Sequence, residues 1–408
     1  MIKLQVSKRG QKVIASPIRK FLPFVQAAEK KGVKVYKLNV GDPDLAPPKE
    51  FFNVIRKYDG KTLSYAPSPG LTAHTAAWQK YYQQFGVSLP MANIIPTVGC
   101  AEAIMLAMQA VCDPGDELIV FEPLYTSYKS FAAMTGTRLV PVLLPFDKNF
   151  TTPPAAEIEK KITKKTRGIV VVNPDNPTGK LWTDVELEMV LKICKKRDLF
   201  LISDETYREI RFAGKPSCLL SKKAYRQNII VCDSASKRFS MPGARIGCIA
   251  SFNNDIMAVI LKFAQARLST GTLEQLALVP LLLNSRPYVA SVVLEYKKRQ
   301  KVVALGLSKI PGAVFKPAQG AFYQAVRLPI KDGEDFVKFL IGKFVYKNQT
   351  VMVTPMKDFY ITKGLGENEI RIAYVLNSQK LAAAMDVLKR GLEAYLSKTK
   401  VSYAIPLE

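Results

Sequence analysis

The stretch Gly168-Ile-Val-Val-Val-Asn173-Pro-Asp-Asn176-Pro-Thr-Gly179 joins a short run of β-branched residues to a turn rich in Asn, Pro and Gly. A run of this length that ends in turn residues is typical of a buried strand. A helical pattern over residues 184–197 follows the turn. The stretch therefore predicts one strand–turn–helix unit.

The same unit recurs along the middle of the chain. Further short strands are predicted at residues 93–99, 117–121, 199–203 and 228–232, with helical runs such as residues 101–112 between them. Alternation of buried strands and helices predicts an α/β fold, in which helices wrap a mainly parallel sheet. Ligands of such sheets bind at the carboxyl ends of the strands, which is where functional residues are expected.

The two ends of the chain depart from this pattern. Residues 1–45 do not follow it, and the region after about residue 290 gives strand, helix, strand and helix. We therefore expect a large α/β domain over residues 46–285. Residues 1–45 and 286–408 are expected to pair into a smaller α+β domain.

Composition narrows the class of protein. The chain has 408 residues, of which 48% are hydrophobic and 23% charged, as in ordinary globular proteins. No apolar run approaches the roughly 20 residues that cross a bilayer, and the first residues lack the apolar block of a secretory signal. The six cysteines form no Cys-x-x-Cys pair and are expected to be reduced thiols. We expect a cytoplasmic protein with no membrane partner.

The strong positive charge does not by itself indicate a nucleic-acid partner. Lysine and arginine number 59 against 34 acidic residues, an excess of 25, but the excess is spread as isolated Lys-Lys pairs. Solvated helix faces are the simpler interpretation, and no nucleic acid is expected as a partner. The chain has a single histidine, His74, and this count excludes metal sites that need several histidines. His74 lies in a helix-like stretch. No metal is expected.

Nucleotide-binding motifs are absent from the sequence. No Gly-x-Gly-x-x-Gly occurs, and Gly60-Lys61-Thr62 lacks the earlier glycine of a phosphate loop, because position 55 is Ile.

A lysine follows the strand predicted at residues 228–232. The neutral amine of Lys237 is able to form a Schiff base with a carbonyl group, and burial beside positive charge lowers the pKa of a lysine. Ser234 and Arg245 flank it with a hydroxyl and a guanidinium group, which suit a phosphate.

Other strand ends complete a cofactor inventory. Asp204 is suited to hold a ring nitrogen protonated, Asn176 and Tyr207 to bond a phenolate oxygen, and Tyr125 to stack on a ring. This inventory matches pyridoxal 5′-phosphate, whose ring nitrogen pairs with an acid.

The chain from about residue 16 to residue 396 resembles the fold-type I pyridoxal-phosphate aminotransferases of class I/II, the aspartate aminotransferase superfamily, and six ordered segments carry the resemblance. These segments are Asn39-Val-Gly41-Asp-Pro-Asp44, Tyr65-Ala-Pro-Ser-Pro-Gly70, Asn173-Pro-Asp-Asn176-Pro-Thr-Gly179, Ser203-Asp204-Glu-Thr-Tyr207, Ser234-Ala-Ser-Lys237 with Arg245-Ile-Gly247, and Glu369-Ile-Arg371-Ile-Ala-Tyr374.

The resemblance implies an activity as well as a fold. It implies a pyridoxal-phosphate enzyme that moves an amino group between an L-amino acid (aspartate, aromatic or broad) and a 2-oxo acid. The mechanism would be ping-pong through a Lys237 Schiff base. It also implies a homodimer with shared active sites, in which Tyr65 reaches the cofactor phosphate of the neighbouring subunit.

Residue roles follow from the same resemblance. Lys237 would carry the cofactor and shuttle a proton, Asp204 would pair with the ring nitrogen, and Asn176 with Tyr207 would bond the phenolate oxygen. Substrate binding would fall to Arg371, which clamps the α-carboxylate.

The remaining implied contacts concern the phosphate, the ring and the substrate. Cys100, Ala101, Ser234 and Arg245 would hold the phosphate and Tyr125 would stack on the ring. Gly41 and Asn176 would also contact the substrate.

Alternatives remain open at this point. A carbon–sulfur lyase would use the same cofactor and much of the same site, and a basic nucleic-acid-binding regulator would explain the net charge. Ala101 stands where some bacterial aspartate aminotransferases have a lysine that reads the distal carboxylate. Arg19 and Arg267 are candidate substitutes for that lysine.

Overall fold

The computed structural model describes residues 4–399. Its strands are, in chain order, β1 (Lys34–Lys37), β2 (Ile94–Thr97), β3 (Glu117–Glu122), β4 (Arg138–Leu143), β5 (Thr166–Val172), β6 (Phe200–Asp204), β7 (Ile229–Ser234), β8 (Gly247–Ala250), β9 (Tyr323–Arg327), β10 (Gln349–Met352), β11 (Thr354–Pro355) and β12 (Glu369–Ala373). Its helices are α1 (Lys8–Lys12), α2 (Leu22–Lys30), α3 (Lys49–Arg56), α4 (Thr72–Gln83), α5 (Gly99–Val111), α6 (Ser127–Thr135), α7 (Ala155–Glu159), α8 (Asp184–Lys196), α9 (Ala235–Arg238), α10 (Asn254–Ala266), α11 (Thr272–Leu283), α12 (Arg286–Leu307), α13 (Gly333–Gly342) and α14 (Ser378–Thr399).

The central sheet has seven strands in the order β2-β8-β7-β6-β5-β3-β4. The five neighbouring strands β7, β6, β5, β3 and β4 are parallel to one another, and β8 is antiparallel to both of its neighbours. The prediction of a mainly parallel sheet wrapped by helices is confirmed.

Both faces of this sheet are covered. In β5, Ile169 and Val171 pack into one hydrophobic cluster, whereas Val170 packs into a second cluster on the opposite face. Since side chains alternate between the faces of a strand, a strand that is buried on both faces reads as a continuous apolar run. This explains why the stretch at residues 168–172 shows no polar alternation.

Local sequence signals set the helix that follows β5. Thr183 and Glu186 form a capping box at the start of α8, and Lys195 with Lys196 occupy its last turn. The capping box provides acceptors for free N–H groups at the start of the helix. The two lysines interact favourably with the negative end of the helix dipole. The predicted helix at residues 184–197 is found at Asp184–Lys196.

The two chain ends meet in space. β1 pairs in parallel with β10, and a separate three-stranded sheet has the order β11-β12-β9. A hydrophobic cluster shared by these strands with α13 and α14 lies apart from the two clusters of the central sheet. The domain boundaries at residues 45 and 286 stay a prediction.

One predicted helix differs from the structure at both ends. The pattern predicts a helix over residues 335–347, but α13 spans Gly333–Gly342. Its start is earlier because the side chain of Asp332 accepts hydrogen bonds from the N–H groups of Glu334 and Asp335.

His74 is a packed helix residue, as predicted. Its Nδ1 lies 2.9 Å from the Gln275 carbonyl oxygen, and its Nε2 accepts from the Trp78 indole at 3.1 Å. Burial lowers the pKa of His74 to about 4, so the ring stays neutral.

Within residues 4–399 no single helix is long and apolar enough to cross a bilayer, although the bent pair of α11 and α12 meets that test by length and composition.

Candidate active site

Strand register brings the predicted site residues to one edge of the central sheet. Thr97, where β2 ends, lies opposite Gly247, and Gly247 lies opposite Ser234, where β7 ends. The start of α5 therefore lies at the same edge as the carboxyl ends of β5, β6 and β7.

A cavity of about 710 Å³ lies at this edge. All the predicted residues except Tyr65 line it: Gly41, Cys100, Ala101, Tyr125, Asn176, Asp204, Tyr207, Ser234, Lys237, Arg245 and Arg371.

Lys237 lies in the short helix α9, directly after β7. Its Nζ donates to the Gly41 carbonyl oxygen at 2.7 Å. The pKa of Lys237 is lowered from 10.5 to about 8, mainly by burial and in smaller part by Arg245 and Arg371, whereas Asp42 opposes the fall. The amine therefore becomes a neutral nucleophile at a much lower pH than an ordinary lysine does.

Asp204 ends β6 and is buried. Its Oδ1 accepts from the Thr206 N–H at 3.1 Å and from the Cys100 thiol at 3.5 Å, and its Oδ2 accepts from the Tyr128 hydroxyl at 3.2 Å. Burial raises the pKa of Asp204, while these donors oppose the rise. A buried carboxylate held in this way is suited to pair with a cationic ring nitrogen.

Tyr207 and Asn176 lie on the same side of the cavity as Arg371. The hydroxyl groups of Tyr207 and Tyr323 are 2.8 Å apart, and Asn176 Oδ1 accepts from Arg371 Nη1 at 2.8 Å. Both predicted partners of a phenolate oxygen are therefore held in position by a second residue.

Anion-binding groups gather at the start of α5. The N–H groups of Cys100 and Ala101, in its first turn, have no acceptor within the helix, as is general for a helix start. Gly99 adopts φ +71°, and a Cβ at this position would lie 2.9 Å from Arg245 Nη2. Glycine here allows the guanidinium of Arg245 to approach the helix start closely.

Arg371 lies in β12 and is 1% exposed. Its Nη2 donates to the Asn39 carbonyl oxygen at 2.6 Å, and its Nε has no hydrogen-bond partner among the described residues. The guanidinium carbon is 4.4 Å from the ring centre of Tyr323 and 5.0 Å from that of Phe359. A buried, oriented guanidinium with an unpaired N–H is suited to bind a carboxylate.

Tyr65 lies outside the cavity, and 81% of its surface is exposed in the single chain. Its contact with a neighbouring subunit stays a prediction.

The two candidate readers of a distal substrate group differ. Arg267 forms an ion pair with Glu102 at 2.9 Å and donates to the Pro96 carbonyl oxygen at 2.6 Å, and it does not line the cavity. The interpretation of Arg267 as the substitute therefore loses support. Arg19 is exposed and lines the cavity.

Sequence reasoning missed two tyrosines of the site. Tyr128 donates a hydrogen bond to Asp204, and the hydroxyl of Tyr323 is hydrogen-bonded to that of Tyr207. Tyr128 follows Tyr125 by three residues and lies in the first turn of α6, so its closeness in sequence to a predicted site residue was an available signal. Tyr323 begins a strand of the other sheet, and only the adjacent aromatic pair with Phe322 marks it in the sequence.

Comparison with known proteins places the chain among enzymes. The sequence profile of the family described as "Aminotransferase class I and II" matches residues 33–388. An aspartate aminotransferase of Pyrococcus horikoshii is 28% identical over 88% of this chain and 91% of its own length. An aspartate/prephenate aminotransferase of Thermus thermophilus is 30% identical over 89% and 92%.

Solved structures give the same result. A Thermus thermophilus aspartate aminotransferase mutant superposes with a TM-score of 0.87 at 26% identity, covering 95% of this chain and all of that chain (100%). An alanine aminotransferase from Pyrococcus furiosus also gives 0.87 at 26% identity, covering 96% and 100%.

Proposed function

The chain belongs to the class I and II aminotransferases, and from this premise we propose that it transfers the amino group of an L-amino acid to a 2-oxo acid in the cavity around Lys237. The observation that carries the proposal is the placement of Lys237, Asp204 and Arg371 around one cavity. The relatives named above are aminotransferases, which favours transamination over the lyase and over nucleic-acid binding.

Pyridoxal 5′-phosphate is the cofactor of this family, and the residues present fit it. Because position 99 is glycine, the Arg245 guanidinium lies beside the start of α5, where both would contact a phosphate, and Asp204 offers a buried carboxylate for the ring nitrogen. When bound, the cofactor supplies an aldehyde for a lysine amine and an electron-poor ring that accepts charge from the substrate α-carbon.

Lys237 has two tasks in this proposal. Its lowered pKa makes the amine available to hold the cofactor, and the same amine, once free, takes the proton from the substrate α-carbon. It would pass that proton to the former aldehyde carbon of the cofactor, and in the second half of the cycle it would carry a proton from that carbon to the α-carbon of the new amino acid. The Gly41 carbonyl oxygen, 2.7 Å from Nζ, holds the amine at the cavity wall.

Arg371 fixes the orientation of the substrate. With Nη1 on Asn176 and Nη2 on Asn39, the guanidinium plane cannot rotate freely, and its Nε–H has no partner among the described residues. An α-carboxylate bound there directs the Cα–H bond of the amino acid towards Lys237. The substrate class is therefore an α-amino acid rather than a simple amine.

Other residues that line the cavity suit a broad range of amino-acid substrates. Phe131 and Ile18 give the cavity an apolar wall, and the exposed Arg19 offers a cation to a second carboxylate. These features support donors that include both aspartate and aromatic amino acids.

A homodimer and a cytoplasmic location complete the proposal. The exposed ring of Tyr65 supports a shared site, because tyrosine is enriched at protein–protein interfaces. All six cysteines are free thiols, which is common in reducing compartments.

Arg371→Lys tests the proposed clamp. We expect kcat/KM for L-glutamate with a 2-oxo acid to fall by about 100-fold, because lysine keeps the charge and loses the planar fork. Amino-acid formation from the 2-oxo acid measures the reaction, and pyruvate release from cystathionine measures the lyase alternative. The exposed Arg390→Lys in α14 is the matched control and should behave like the wild type.

An amine without a carboxylate sharpens this test. Such an amine should react slowly, and its transamination rate should be the same in the wild type and in Arg371→Lys. A loss of similar size for this amine, or an unchanged kcat/KM for glutamate, would contradict the role of Arg371.

A further inference from the structure

Tyr323 connects the two halves of the candidate site. It begins β9, is 3% exposed, and places its hydroxyl 2.8 Å from that of Tyr207. Its ring lies 4.4 Å from the Arg371 guanidinium carbon. One side chain therefore contacts both the residue proposed to bond the cofactor's phenolate oxygen and the residue proposed to bind the substrate.

The direction of the hydrogen bond between the two tyrosines has a consequence for Tyr207. Each phenol has one proton, and burial raises the pKa of both, so each keeps that proton. If Tyr207 donates to Tyr323, its proton is not available to the cavity. If Tyr323 donates instead, the Tyr207 proton is free for an acceptor in the cavity.

An anionic acceptor decides between these two arrangements. A hydrogen bond to a charged oxygen is about twice as strong as one between neutral groups. Tyr207 therefore donates to a phenolate oxygen in the cavity, and its own oxygen accepts from Tyr323.

We propose that Tyr323 is a positioning residue, which donates to Tyr207 and thereby aligns and strengthens the hydrogen bond that Tyr207 donates to the phenolate oxygen of the cofactor. This inference rests on the proposed function, because the acceptor belongs to the bound cofactor.

The surroundings hold Tyr323 in place for this task. A Cβ at Gly41 would lie 1.8 Å from the Tyr323 hydroxyl oxygen, so the glycine backbone packs directly against that hydroxyl. Tyr374 donates to the Tyr323 carbonyl oxygen at 3.0 Å, and the Tyr207 ring packs edge-on to Phe322 at 5.3 Å. Because Gly41 also accepts from Lys237, one backbone segment places both Tyr323 and the lysine amine.

Tyr323→Phe removes the donor and keeps the ring over Arg371. The readout is the pKa of the Lys237–cofactor Schiff base, measured without substrate by pH titration of the cofactor absorption. We expect this pKa to rise by about 0.5 to 1. In the protonated Schiff base the imine proton already bonds the phenolate oxygen, so a donor from Tyr207 stabilises the deprotonated form more. KM for the amino acid should change less than about 2-fold, since the ring over Arg371 remains.

A double-mutant cycle separates an effect through Tyr207 from a direct one. Tyr207→Phe should raise the same pKa by at least as much, and adding Tyr323→Phe to it should give no further shift. Tyr36→Phe is the matched control: it removes the hydroxyl of a buried tyrosine that donates to Gln349 and does not line the cavity, and it should titrate like the wild type.

Two results would overturn the inference: a Tyr323→Phe variant that titrates like the wild type, or a shift that persists in the Tyr207→Phe background. Failure of the proposed function is distinguishable, because the wild type itself would then show no lysine-linked cofactor absorption, and the inference would fall with it.

Discussion

Replacing Lys237 by alanine should lower the rate of transamination between L-glutamate and a 2-oxo acid by about 10³- to 10⁴-fold. Lys237 lines the cavity, and burial lowers its pKa to about 8. Its amine is therefore available as the acceptor for the α-carbon proton, and the substitution removes that acceptor. Initial rates and single-turnover reactions with one amino donor measure the loss.

The control for this variant is Lys262→Ala, which removes an exposed lysine from α10. It should keep wild-type rates and the same melting temperature. Full turnover in Lys237→Ala would show that the reaction does not depend on this amine.

Asp204→Asn should lower kcat by about 10²- to 10³-fold. Asparagine has nearly the same shape and still accepts from the Thr206 N–H, but it carries no negative charge. Without that charge a protonated ring nitrogen is not stabilised in a buried site, and the ring withdraws fewer electrons from the substrate. Steady-state kinetics at saturating substrate give the effect on kcat.

Asp255→Asn is the matched control for Asp204→Asn, since it neutralises an exposed carboxylate at the start of α10. We expect no change in kcat for Asp255→Asn. If Asp204→Asn reacted at the wild-type rate, the pairing of this carboxylate with the ring nitrogen would be wrong.

Much of the fold was predictable because its signals are local. The apolar runs now seen as β5 and β7 are short, β-branched and bounded by turns, and each is buried on both faces. A sheet of such strands places its ligands at one edge, which explains why Asn176, Asp204 and Lys237 were found from their positions after strands.

The parts that were missed depend on packing between distant segments. Tyr323 reaches Tyr207 across 116 positions of the chain, and its strand belongs to the smaller sheet. No periodicity near residue 323 reports such a contact. The same holds for Asn39, whose carbonyl oxygen orients Arg371 although the two are 332 positions apart.

Tertiary contacts also explain the different outcomes for Arg19 and Arg267, the two candidate readers of a distal substrate carboxylate. Arg267 has the right charge, but its ion pair with Glu102 and its bond to Pro96 commit it elsewhere. Such contacts are tertiary, and the sequence alone does not distinguish an arginine held in an ion pair from an exposed one such as Arg19.

The covalent link between Lys237 and the cofactor is the claim on which the account depends most. Borohydride reduces a Schiff base to a stable secondary amine, and digestion of the reduced protein followed by mass mapping then identifies the modified lysine. The account predicts that the cofactor remains on the peptide that contains Lys237, and that Lys237→Ala gives no such peptide. A cofactor fixed to a different lysine, or to none, would contradict it.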